Sequence, residues 1–141
     1  MRKRDGLTLI ELLLVISIII TLASIAIAQY SKPKARAVQK EALSNIKLIA
    51  SAERIYRMEM GDYYACSCSS SATCSNNATG CNSILRLMLN TQNWAYGVTT
   101  AGSIGSLTAN ISASLQGGGC TYTLVSSDFD NANYSTSSGC I

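Results

Sequence analysis

The sequence has no histidine, and only 13% of its residues are charged, about half the charge fraction of an ordinary soluble domain. Without imidazole the commonest general base, the histidine of a nucleophilic triad and histidine metal ligation are all excluded. No enzymatic activity is expected on that ground. The sparse charge excludes a second class. The formal net charge is +3, and Arg2, Lys3 and Arg4 against Asp5 supply most of it. The remainder is close to neutral and holds little with which to bind nucleic acid electrostatically. Proline occurs once, at Pro33, so only one position inside the chain is barred from ordinary helix geometry. No charged residue occurs between Asp62 and Arg86.

Hydrophobic residues are abundant, at 48% of 141 residues, a length that allows one domain. They are concentrated. Residues 7–28 read LTLIELLLVISIIITLASIAIA, with Glu11 as the one charge. As a helix this run covers roughly 33 Å, enough for a bilayer core. The basic cluster in front of it predicts that residues 1–6 stay in the cytoplasm and that the chain beyond residue 28 faces outward.

The helical signal continues past residue 28. Ala35, Val38, Ala42, Ile46, Ile49, Tyr56 and Met60 recur on one side, with Lys32, Arg36, Lys40, Lys47 and Arg54 on the other, the pattern of a helix with one packed and one wet face. Gly61-Asp62 is the stop signal. Residues 7–60 thus predict a long helix, apolar in its first half and amphipathic in its second, with a kink expected at Pro33.

Beyond Gly61 the composition turns to Ser, Thr, Asn, Gly and Cys. Residues 83–90 (SILRLMLN) predict a short helix. Residues 106–115 alternate apolar and polar as a half-buried strand does; Gln116-Gly117-Gly118-Gly119 is a turn, and residues 120–126 are the returning strand. Residues 96–100 are a weaker third strand. A head of residues 61–141 is too serine-rich to build a large core alone, so the helix face over 35–60 is expected to cover it. The predicted class is α+β: a long N-terminal helix packed on a small antiparallel sheet.

Six cysteines in so small a chain point to an oxidising compartment. Cys66, Cys68, Cys74 and Cys81 lack the paired C-x-x-C knuckles of zinc modules, so disulfides are expected and no metal or cofactor is. With Cys120 and Cys140 they allow 15 pairings, and spacing does not choose among them. Asp128, Asp130, Asn131 and Asn133 lack the spacing of a calcium loop and read as a solvated turn.

Gly6-Leu7-Thr8-Leu9-Ile10-Glu11 after a basic leader, continuing through Leu12, Val15, Ala23, Ile25, Ala26 and Ile27 to Gln29-Tyr30, resembles the processing site and first helix of the type IV pilin and type II secretion pseudopilin superfamily. The resemblance implies cleavage of leader 1–6 between Gly6 and Leu7 by a prepilin peptidase, and N-methylation of Leu7. It also implies that Glu11 faces the Leu7 amine of a neighbouring subunit during assembly. A structural subunit follows: a cytoplasmic-membrane precursor that pilus assembly machinery packs into an extracellular homo-oligomeric helical filament. Pilin is the reading adopted and pseudopilin its rival. The resemblance further implies a disulfide between Cys120 and Cys140, leaving the other four cysteines paired in an open order. Two departures stand out, Ile20 and Ala28, where many members carry a glycine and a proline that break the helix. A competing reading is a cleavable secretory signal with Ala26-Ile27-Ala28 as its processing site, releasing a soluble disulfide protein from Gln29. The charge of Glu11 and the length of the apolar run count against it.

Overall fold

In the computed structural model of the chain, residues 8–105, 107–131 and 133–140 are described. Arg2, Lys3, Arg4, Gly6 and Leu7 lie outside the described residues, as do the side chains at 26–32 and that of Asp128. The described architecture is α+β, with one long helix and a five-stranded antiparallel sheet. Two compact units divide it, Met1–Ala37 and Val38–Ile141.

Helix α1 spans Leu9–Met60, 52 residues, with Pro33 inside it. Thr8 starts it. Its carbonyl accepts the amides of Glu11 and Leu12 at 3.1 and 3.2 Å, and its Oγ1 takes the Glu11 amide at 3.4 Å, covering donors that a helix start leaves free. Gly61 ends it at φ 91°, donating to the Arg57 carbonyl at 2.8 Å in the left-handed cap that glycine adopts without a Cβ clash. Among the described residues no helix is long and apolar enough to cross a membrane. The expected span of 7–28 has described side chains only over 8–25, about 27 Å of helix against a hydrocarbon core of roughly 30 Å.

In the second unit the sheet runs in chain order: β1 Cys66–Cys68, β2 Trp94–Ala101, β3 Thr108–Leu115, β4 Thr121–Val125 and β5 Ser135–Thr136. Two short helices, α2 Ser71–Cys74 and α3 Cys81–Ile84, lie between β1 and β2. Period-two alternation sends Trp94, Tyr96 and Val98 inward with Ala109, Ile111, Ala113, Tyr122 and Leu124, onto Ala42, Ile46 and Ile49 of α1. At roughly 1.5–3 kcal/mol for each large side chain taken from water, this core is what holds the serine-rich sheet. Polar contacts fix its register. Trp94 Nε1 donates to the Val38 carbonyl at 2.8 Å, Asn45 to the Tyr96 hydroxyl at 2.7 Å, and Asn93 to Glu41 at 3.1 Å.

The sheet departs from the sequence expectation in several places. Trp94–Ala101 is a full strand between β1 and β3, eight residues long rather than the weak segment 96–100. The expected helix over 83–90 is replaced by α3 at Cys81–Ile84. Arg86 takes φ 54°, a conformation that ends a helix, and the Asn82 side chain accepts the Leu89 amide at 2.8 Å. Leu85 and Leu89 are thereby buried while Met88 is left 95% exposed. The apolar run packs as an irregular segment, not as a helix face. The packed stripe of α1 also stops short of its last expected residue, since Met60 is 68% exposed.

Candidate functional site

The first unit presents an apolar surface. Side chains from Leu9 to Ile25 are exposed throughout, Leu9 by 82%, Ile20 by 65% and Ile25 by 61%. Two of its hydroxyls interrupt the run without wetting it. Thr21 Oγ1 donates to the Ile18 carbonyl at 2.8 Å and Ser24 Oγ to the Thr21 carbonyl at 2.9 Å, so both satisfy themselves on the helix backbone and need no water. Glu11 is the one charged side chain of this stretch and sits in the first turn of α1, where a helix's N-terminal partial charge favours an anion. Gly6 and Leu7, the expected cleavage and methylation positions, lie outside the described residues.

The second unit is tied by three disulfides: Cys66–Cys81, Cys68–Cys74 and Cys120–Cys140. The first two are nested, and β1 explains why. Residues two apart on a strand point to the same face, so Cys66 and Cys68 both turn inward; α2 ends on Cys74 and α3 begins on Cys81, which puts a partner within reach of each. Gly80 permits this. A Cβ there would collide with the backbone at Cys74 and Asn76. Cys140 is joined to Cys120, the residue before β4, and the following Thr121 amide is held by Ser137 at 2.8 Å.

Of the wet-face residues, Arg36, Lys40 and Lys47 are exposed. Arg54 is paired with Asp130 at 2.5 Å and lies over the Phe129 ring at 5.9 Å, which ties the expected solvated turn to α1. Among the described residues no cluster of three or more acidic or cysteine side chains is placed to hold a metal ion.

Sequence reasoning missed one residue altogether. Glu53 has no exposed surface. Its Oε2 accepts the Tyr64 amide at 3.1 Å, while Oε1 has no partner among the described residues. Burial pushes its pKa from 4.5 up to about 7, against a smaller lowering by the Tyr64 amide. The signal was present in the spacing, since Ala42, Ile46 and Ile49 lead at the next helical step to position 53. Two tyrosines are perturbed as well. The Tyr96 hydroxyl is pushed above 10.0 by burial, against a lowering by the Asn45 hydrogen bond and with a smaller rise from Glu41, and burial does the same to Tyr134.

Comparison with known proteins bears on the N-terminal part. The family described as the prokaryotic N-terminal methylation motif matches residues 1–27. The type IV major pilin protein PilA of Myxococcus xanthus is 43% identical over 61 residues, which cover 43% of this chain and 28% of that protein. The match thus spans under a third of the curated relative. No solved structure matches the chain. The methylation motif and the similarity to a major pilin support the type IV pilin/prepilin class for this chain.

Proposed function

We propose that the chain is a structural subunit of an extracellular type IV pilus filament, made as a cytoplasmic-membrane precursor and assembled by helix packing. The observation that carries this reading is the exposed apolar surface over residues 9–25 with the Thr21 and Ser24 hydroxyls turned back onto the helix. Each large side chain there gains roughly 1.5–3 kcal/mol on leaving water, so the surface needs a cover. Lipid covers it first, with Arg2, Lys3 and Arg4 holding the leader in the cytoplasm. Neighbouring copies of the same helix cover it in the filament, and the disulfide-tied head faces solvent.

Glu11 gives that packing a register. A carboxylate taken into an apolar bundle alone costs several kcal/mol, and a cation beside it relieves much of that cost. The amine created at Leu7 by peptidase cleavage after Gly6, and methylated there, is the cation. On this reading Glu11 of one subunit meets Leu7 of the next, and assembly machinery adds subunits one by one. Mass spectrometry of filaments sheared from the native cells tests it. A mature chain beginning at methylated Leu7 is expected, and one beginning at Gln29 overturns the reading.

A further inference from the structure

We propose that Glu53 is a proton-operated latch: its neutral carboxyl fastens the turn at residues 62–64 to α1, and its ionisation releases that turn to water. The geometry is specific. The side chain is wholly enclosed, one oxygen holds the backbone amide of Tyr64, and the other has no partner among the described residues. A neutral carboxyl needs little from such a place, since Oε2 acts as the carbonyl acceptor and only one hydroxyl goes unmet. A carboxylate in the same place has a charge and an empty acceptor to solvate. Water reaches it only if the turn lifts. That turn runs directly into Cys66 at the start of β1, so lifting it loosens the nested disulfide loop.

Among the described residues no ion pair reaches Glu53. On α1, Arg54 is engaged with Asp130 and Phe129, and Arg57 donates to the Tyr63 hydroxyl at 3.0 Å and lies over its ring at 4.8 Å. Tyr56 meets Tyr64 edge-on. In the turn, Asp62 accepts the Gly105 and Leu107 amides. From the sheet, Tyr96 takes Asn45 and Tyr122 packs beside Trp94.

The sign is fixed by the raised pKa. Below pH 4.5 the carboxyl is neutral in both folded and unfolded chains; from there to about 7 it stays neutral only when folded. Stability contributed by Glu53 is therefore full at acid pH, falls through this window, and is lost above about 7. The absence of histidine leaves no other side chain that ordinarily titrates near neutrality. The inference concerns the second unit alone and does not depend on filament assembly.

The test uses the full chain in detergent micelles. Between pH 5 and pH 8 the thermal midpoint of the head should fall by roughly 10 °C, and Tyr64 amide exchange should quicken about tenfold beyond ordinary base catalysis. Glu53→Gln, which keeps an acceptor for Tyr64 and cannot ionise, should abolish both changes. Equal pH dependence in variant and parent overturns the proposal. Should the variant not fold, the carboxyl carbon resonance of Glu53 in the parent decides. A midpoint near 7 together with Tyr64 exchange rising at the same pH supports the latch, whereas a midpoint near 4.5 overturns it.

Discussion

The indole of Trp94 donates to the main-chain carbonyl of Val38 at 2.8 Å, joining the first residue of β2 to the first residue of the second unit. Trp94 is fully enclosed, so this one side chain both fills the core and sets where along α1 the sheet sits. Trp94→Phe should cost about 1–2 kcal/mol through the lost hydrogen bond and a small void, and Trp94→Ala about 3–5. Urea unfolding of the full chain in detergent measures both.

Gly80 is a second point where the backbone itself is the constraint. A methyl group there would run into the Cys74 carbonyl and the Asn76 amide, neither of which can turn aside as a side chain end would. Gly80→Ala should destabilise the head by roughly 2 kcal/mol or more and slow correct pairing of Cys66 with Cys81. Non-reducing peptide mapping during refolding, with thermal melts alongside, gives both quantities.

Cys120 and Cys140 close a separation of 20 residues, worth on the order of 3 kcal/mol in the chain-entropy model. The double change Cys120→Ser/Cys140→Ser should lower head stability by about that amount and reduce filament yield. Cleavage after Gly6 should be unaffected, because the proposed processing site lies at the other end of the chain. Denaturant midpoints, sheared-filament yield and the mature N-terminus are the three readouts.

Glu11→Gln should leave membrane insertion intact, since removing a charge makes the segment more apolar. It should impair assembly by leaving the Leu7 amine of the neighbour without its counter-charge. Filaments of normal number and stability from this variant would show that the carboxylate is incidental. Gly6→Ala separates processing from packing, because it should slow cleavage without altering the helix surface.

Much of this architecture is legible in the sequence because it rests on local periodicity. The 3.6-residue stripe gives α1, Gly61 gives its end, and strict alternation gives the β3–β4 hairpin. What was not legible depends on partners remote in the chain. β1 is three residues and β5 two, too short to carry a pattern, and each exists because a neighbouring strand and a disulfide hold it. Apolar residues mark the inward face of β2 only as far as Val98, so the rest of the strand, Thr99 to Ala101, is set by pairing with β3. The run at 83–90 has a helix's composition and fails as a helix because Arg86 and Asn82 redirect the backbone. Glu53 was hidden by its type: a glutamate in an amphipathic helix is read as solvent-facing, and only the enclosing turn at 62–64 shows otherwise. The roles expected for Gly6, Leu7 and Glu11 came from resemblance, and they rest on the motif at residues 1–27.

The disulfides also decide how far the head can be stretched. A pull applied between α1 and the chain's end would pass through each bridge and bypass the loop it closes. Separations of 15 and 20 residues are thereby withdrawn from extension, about 120 Å of contour at roughly 3.4 Å per residue. The inner bridge, Cys68–Cys74, lies wholly within the Cys66–Cys81 loop and becomes a second stop only after the outer one breaks. Under oxidising conditions the yielding length of this head is set by the stretch between Cys81 and Cys120, the strands β2 and β3; in a reductant the same molecule would become markedly more extensible.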